Sequence, residues 1–236
     1  MKKLIFMVGF LISFILIQPV LAQKIKMSED GYSVTVLSAT NQIHWQYHFN
    51  TLTFSPSQDK NALYFGNKNG EIIKLDRLNG QLIWRKKISN GWVYSPALSQ
   101  NLLITGGQDS MLYALNKINQ QLVWKKALAQ QLVYQVVSDK NFIITTTFDG
   151  KVQAFNAQNG QLKWQQQFSS ASQFPLFYKD LIILASYEGQ LRFLSRQDGT
   201  LKRQENIQTL LLESPKITHQ KLQLVNNNQQ KYTFEL

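Results

Sequence analysis

Four tryptophans set the frame of this chain. Trp45, Trp84, Trp124 and Trp164 lie 39, 40 and 40 residues apart, and Arg203 continues the series after another 39. The same step relates Gly70, Ser110, Gly150 and Gly189, and again Gly80, Gln120, Gly160 and Gly199. Three registers that agree over four copies describe one structural unit repeated, and a unit of ~40 residues buries its apolar faces only by stacking on its neighbours.

A typical unit runs through Asn61-Ala-Leu-Tyr-Phe-Gly66, a turn at Asn69-Gly70, Glu71-Ile-Ile-Lys-Leu75, a turn from Asp76 to Gly80, and Gln81-Leu-Ile-Trp84. Short runs rich in β-branched and aromatic residues, bounded by Gly, Asn or Asp, predict strands and hairpins, and no amphipathic helical pattern follows Ala22. The loops at Asn69-Gly70, Asp109-Ser110, Asp149-Gly150 and Glu188-Gly189 predict primed two-residue turns, with Ser110 the strained exception because it carries a Cβ. The second turn opens on Asp76, Asn116, Asn156 or Ser195, whose side-chain oxygen can accept a backbone N–H of the turn.

Proline marks a further strand. Pro56, Pro96, Pro175 and Pro215 share one register, with Val136 in the missing slot; lacking a ladder donor, proline belongs at sheet edges. Each unit is then an edge strand (Trp92 to Leu98 in one copy), two central strands and an outer strand carrying residues such as Lys125 and Lys126, which discourage pairing with other chains. Four antiparallel strands per ~40 residues predict an all-β chain folded as a β-propeller. The four complete units span roughly Thr51 to Ile207, with partial units at both ends. Five blades are expected, the ring closing where the N-terminal hairpin completes the C-terminal strands; six blades are the alternative, and an open fragment that closes by dimerising is the third reading. The tryptophans are read as packing between blades.

The N-terminus reads as an export signal. Lys2 and Lys3 precede an apolar run from Leu4 to Ile17, a break at Gln18-Pro19, and the small-x-small pattern of Val20-Leu21-Ala22. Cleavage after Ala22 would leave 23–236 as a single propeller domain in an exported, periplasmic protein; an uncleaved anchor is the alternative. The full chain holds 25 Lys and Arg against 14 Asp and Glu, a net charge of +11. In an export compartment, that surplus points to anionic lipid, envelope polymer or an acidic protein face, and not to nucleic acid. The absence of cysteine excludes disulfides, thiolate nucleophiles and cysteine zinc sites.

The copies Gly70-x-Ile-x-Lys-Leu-Asp-x-x-Asn-Gly-Gln-Leu-x-Trp84 and Gly150-x-Val-x-Ala-Phe-Asn-x-x-Asn-Gly-Gln-Leu-x-Trp164 resemble the repeat of the pyrroloquinoline-quinone-type (PQQ-like) propeller superfamily. That superfamily holds quinoprotein dehydrogenases, extracytoplasmic sensors and the BamB-like scaffolds of outer-membrane β-barrel assembly. The dehydrogenases carry eight blades, and many have a vicinal cysteine pair beside carboxylate and amide calcium ligands. Here Asp76, Asp109, Asp149 and Asp198 are scattered through turns instead of gathered in a cage of oxygens. The resemblance therefore implies a non-catalytic scaffold without cofactor or metal, engaging envelope proteins, with the outer-membrane assembly machinery as one such partner. A quinone-dependent enzyme and a carbohydrate-binding propeller are the alternatives. BamB-like members usually have eight blades and a lipidated cysteine at the mature N-terminus, where this chain has Gln23.

No catalytic constellation stands out. His44 and His48 fall on one strand face but about 13 Å apart at ~3.3 Å per residue, too far to share a metal. No phosphate loop, zinc-protease motif or nucleophile elbow is present. The serines before the prolines, Ser55, Ser95 and Ser214, recur with the repeat and are not read as nucleophiles. The candidate partner-binding rim is Trp92, Tyr94, Tyr134, Gln135, Phe174 and Tyr178, on or beside the edge strands that line a propeller's channel; plugging a narrow channel is their alternative role.

Overall fold

The computed structural model describes residues 24–173, 175–207, 209–211 and 215–236. The expected signal over residues 1–22, Phe174 and Ser214 lie outside the described residues. Among the described residues every regular element is a strand.

The first sheet is β1 (Lys24–Met27), β2 (Ser33–Leu37) and β3 (Ile43–His48). Four complete blades follow. The second blade is β4 (Ser57–Gln58), β5 (Ala62–Gly66), β6 (Glu71–Asp76) and β7 (Leu82–Lys87). The third is β8 (Ala97–Ser99), β9 (Leu102–Gly106), β10 (Met111–Asn116) and β11 (Leu122–Ala127). β12 (Val137–Ser138), β13 (Phe142–Thr146), β14 (Lys151–Asn156) and β15 (Leu162–Gln167) make the fourth. β16 (Leu176–Tyr178), β17 (Leu181–Ala185), β18 (Gln190–Ser195) and β19 (Leu201–Asn206) make the fifth. The last sheet is β20 (Lys216–Thr218), β21 (Lys221–Val225) and β22 (Lys231–Glu235). Each is an antiparallel meander with neighbours in chain order.

Among the described residues six blades are therefore present, the alternative count and not the expected five. The N-terminal hairpin does not complete the C-terminal strands, because both ends carry their own central hairpin. β1, missed in the sequence because Lys24-Ile-Lys-Met directly follows the expected signal, pairs with β2 from Lys24↔Leu37 to Met27↔Val34. Among the described residues the N-terminal sheet thus lacks only an inner strand and the C-terminal sheet only an outer one, and the two remain separate sheets.

Pro56, Pro96, Pro175 and Pro215 each stand one residue before the innermost strand, as does Val136. The edge strand read from Trp92 to Leu98 is shorter than expected: Ala97–Ser99 pairs with β9, and upstream only a single bridge, Val93↔Gly107, is made. The first turn also differs. Only its last residue is left-handed (Gly70, φ 78°; Ser110, φ 57°), and Gly70 N–H donates to the Asn67 carbonyl, so this is a tight turn closed by one left-handed residue and not a primed pair. Asn67 explains the preference: its Oδ1 accepts the N–H groups of Asn69 and Glu71 and staples a longer loop. The second turn is as expected, with Asp76 Oδ1 accepting from Leu78 and Asn79, and Asn116 and Asn156 doing the same.

The blades lock through tryptophan. Each indole of the first, third and fourth blades lies on the left-handed glycine of the next blade's second turn. A Cβ at Gly80 would fall 2.5 Å from the Trp45 ring, one at Gly160 2.8 Å from Trp124, and one at Gly199 2.5 Å from Trp164. Only hydrogen fits there, and the positive φ independently favours glycine. Trp45 and Trp164 also donate Nε1–H to the carbonyls of Arg77 and Arg196 at 3.0 and 2.9 Å. The indole N–H groups of Trp84 and Trp124 meet no acceptor among the described residues, and Trp124 is half-buried. Arg203, in the corresponding position of the fifth blade, lies over Phe193 of its own blade and pairs with Glu205. Five apolar clusters join successive blades; among the described residues none joins the first to the sixth.

Ion pairs repeat at two interfaces. Lys117 in the second turn of the third blade meets Asp59 of the second at 2.9 Å, and Arg196 of the fifth meets Asp139 of the fourth in the same way. Partial burial pushes the Asp59 carboxyl up, but the Lys117 ammonium, the Asn61 N–H and the Tyr64 hydroxyl outweigh it and hold the group at about 2.

Two outcomes follow from this packing. Trp164→Ala should cost about 3–5 kcal/mol of stability, and Trp124→Ala, half-buried and without an acceptor, should cost less; urea unfolding ranks them, equal losses would show that the Nε1–H bond and deeper burial of Trp164 add nothing, and negligible losses in both would remove the indole-on-glycine contact as the lock. Because Asp59 ionises below its unfolded range, its stabilisation, on the order of 2 kcal/mol, is present above about pH 4 and lost as pH falls through about 2. Asp59→Asn should therefore be less stable than wild type at pH 7, with the gap closing between about pH 4 and pH 2.

Candidate functional site

One end of the propeller gathers the first turns of the blades and the segments that enter the inner strands. There Val93, Leu132, Thr53 and Leu211 bridge to Gly107, Thr147, Asn67 and Asn226, which fixes each entering segment against a turn. The residue after Thr53 or Val93, and two after Leu132, is aromatic: Phe54, Tyr94 and Tyr134. The backbone geometry directs these rings to a common mouth. Phe54 lies 5.2 Å from Tyr94 and 6.1 Å from Trp92, both pairs tilted, the arrangement that ring quadrupoles favour. Lys68, in the second blade's first turn, holds its ammonium 5.2 Å from the Trp92 ring centre.

Tyr94 ties two blades together. Its hydroxyl donates to the Val133 carbonyl at 3.4 Å. Burial pushes its phenol up, with the negative charge of neighbouring Tyr187 and Tyr134 phenolates adding to the effect, so three tyrosines from three blades share this mouth. Tyr134 itself packs against the cluster between the last two blades. Phe148 and Tyr187, in the first turns of the fourth and fifth blades, are 59% and 47% exposed and crown the rim.

Below the mouth, the inner strands of the second, third and fourth blades and the residues before them line one side of the channel, an open pocket of about 330 Å³ that includes Pro56, Ser57, Pro96, Leu98, Gln135 and Val137. Ser57 donates to the Pro96 carbonyl and Ser99 to that of Asp139, lacing successive inner strands. Ser95, buried, accepts from the Gly66 N–H at 2.9 Å. These hydroxyls are structural ties between blades.

A family model described as outer membrane protein assembly factor BamB matches residues 68–213. The chain belongs to this BamB-type PQQ-like family. No curated protein matches it in sequence. Among solved structures, BamB from Moraxella catarrhalis is 16% identical, with 91% of this chain and 70% of that one covered at a TM-score of 0.74. The computationally designed Ika8 protein is 14% identical, covering 90% and 80% at 0.68, and a chain of the mitotic checkpoint complex is 12% identical, covering 87% and 68% at 0.77. At these identities the likeness to solved structures is one of fold.

Within this BamB-type frame the rim residues separate. Trp92, Tyr94 and Tyr134 come together at the mouth, and Gln135 faces the channel. Tyr178 stands at the far end of β16, packed in the cluster between the fifth and sixth blades beneath Lys179. Sequence reasoning passed over Phe54, Phe148, Tyr187 and Lys68. The signal for Phe54 was available: Phe54, Tyr94, Tyr134 and Phe174 are each 40 residues apart. Phe148 and Tyr187 share the turn register of Lys68 and Gln108, where only two copies are aromatic, so periodicity does not select them.

The opposite end holds a broader cleft of about 1020 Å³ between the fourth and fifth blades, lined by Asp139, Phe142, Lys163, Asp180 and Arg196. Its Arg196 guanidinium is sandwiched between Phe142 and Phe177 and paired with Asp139, which leaves that charge already satisfied. The carboxylates of Asp30, Asp149 and Asp198 are held below their usual range, chiefly by Ser28, Thr147 and Ser195 hydroxyls, and staple turns. His44 and His48 project from the exposed face of β3.

Proposed function

We propose that this protein is a non-catalytic scaffold of the cell envelope, exported by its N-terminal segment, that engages another envelope protein through the aromatic mouth. The observation that carries the reading is the convergence of Phe54, Trp92, Tyr94, Tyr134, Phe148 and Tyr187 from four blades at one end of a BamB-type propeller. Rings with polar tips make strong anchors when they are rigidly held and half exposed. Here the sheet edges and the Tyr94 hydrogen bond supply the rigidity, and the carboxylates of the turns are taken up by backbone N–H groups, not poised for proton transfer. The family description supports the finer proposal that the partner belongs to the outer-membrane β-barrel assembly machinery.

Crosslinking in cells followed by mass spectrometry tests this. The full chain should crosslink to outer-membrane assembly components, and Trp92→Ala with Tyr187→Ala should lower those crosslinks by roughly tenfold or more, as for loss of interface hot spots, while leaving the unfolding midpoint unchanged. Undiminished crosslinks in a folded double variant would overturn the mouth as the docking surface.

A further inference from the structure

The outer strands of the second and third blades carry a surface that the repeat does not require. Position by position, the second turn and outer strand can be compared across the four complete blades, which serve as controls for one another. Every copy has leucine at the start of the outer strand: Leu82, Leu122, Leu162 and Leu201. That leucine belongs to the repeat. The neighbouring positions do not: Leu78 and Ile83 in the second blade and Ile118 and Val123 in the third are replaced by Gln158 and Lys163 in the fourth and by Gln197 and Lys202 in the fifth. The four aliphatic side chains, which pack against no cluster, are 48% to 74% exposed.

Charge follows the same division. Residues 77–88 and 117–128 contain seven Lys and Arg and no Asp or Glu; the equivalent stretches 157–168 and 196–207 contain four Lys and Arg and two acids. Of the seven, Lys117 is committed to Asp59, while Arg85, Lys87, Lys125 and Lys126 are exposed. Lys86 of the second blade's outer strand donates to the Gln120 carbonyl in the third blade's second turn at 2.7 Å, which ties the two blades together along this edge. Aliphatic tips thus lie at the start of each strand, and basic side chains lie toward its end.

We infer that this edge of the propeller docks on an anionic lipid bilayer. Exposed apolar clusters of this kind mark interaction surfaces, and the chemistry separates the occupants. Protein interfaces are enriched in aromatic residues and depleted of lysine; this surface is aliphatic and lysine-rich. A bilayer interface takes short aliphatic side chains at the boundary of headgroups and acyl chains and gains about 1 kcal/mol for each Lys or Arg near an anionic surface. Long, flexible lysine stems at the same edge can carry their charges to the phosphate level while the aliphatic tips enter the boundary. The surface is at the periphery, separate from the aromatic mouth, so the mouth remains open while the edge is seated.

Vesicle co-sedimentation of the full chain at low salt tests this, with phosphatidylcholine vesicles compared with vesicles that also contain phosphatidylglycerol. Wild type should partition onto the anionic vesicles roughly tenfold more than onto neutral ones, and added salt should reduce the difference. Leu78→Gln/Ile83→Gln/Ile118→Gln/Val123→Gln and Arg85→Gln/Lys87→Gln/Lys125→Gln/Lys126→Gln should each lose most of it with unchanged thermal unfolding. Lys163→Gln/Lys202→Gln and Trp92→Ala/Tyr187→Ala should retain it. Any binding through residues 1–22 is common to every form, so the differences read the patch. Equal partitioning of wild type onto both vesicles, or equal binding by all variants, would overturn the inference. So would the absence of vesicle binding by wild type together with patch-dependent retention on an acidic protein.

Discussion

The fold depends on an indole lying flat on a residue that has no side chain. Trp45, Trp124 and Trp164 each cover the left-handed glycine of the next blade's second turn, and the contact fixes two things at once. It sets the distance between neighbouring sheets, since even a methyl group at Gly80, Gly160 or Gly199 would enter the ring. It also sets the phase of the repeat, since the tryptophan and the glycine it meets are some 35 residues apart and belong to different blades. The Nε1–H bonds to Arg77 and Arg196 carbonyls add direction to a contact that packing alone would leave free to rotate.

With the frame fixed by a few residues, the remaining positions are released to vary between blades. The entering segments keep an aromatic register because the channel is narrow, yet the turns above them diverge, from Lys68 and Gln108 to Phe148 and Tyr187. The outer strands diverge in another sense: the second and third blades are apolar and basic, the fourth is rich in glutamine, and the fifth mixes basic and acidic residues. A recognition surface in a repeat protein is read as a departure from the repeat. Departures occur at two separate places here, the mouth and one edge, consistent with a scaffold that meets two environments.

Much of the architecture was legible in the sequence because its causes are local. Strand runs, the Asp76 and Asn116 side-chain caps and the prolines ahead of the inner strands each follow from the chemistry of a few adjacent residues. Ser110 was recognisable as a left-handed residue without glycine, and its φ of 57° agrees. The turn type was misjudged because Asn67, two residues before the Asn69-Gly70 pair, draws the backbone into a longer loop through its side chain. Of the rim, Trp92, Tyr94 and Tyr134 were found because the prolines mark their segments, Phe54 in the same register was passed over, and Tyr178 proved to pack in the interior at the other end of its strand.

The sequence alone determined the unit: a 40-residue period of short strands, glycine turns and one tryptophan admits only stacked four-stranded sheets, since no other arrangement buries those apolar alternations on both faces. The number of units and the assembly of the sites were decided in three dimensions. Whether Lys24–Met27 forms a strand depends on β2 being present to pair with it, and that strand turned a hairpin into a sixth blade. The meeting of Tyr94, Tyr134 and Tyr187 depends equally on the angle between successive sheets, a property of packing between distant residues that is not encoded in any one stretch of chain.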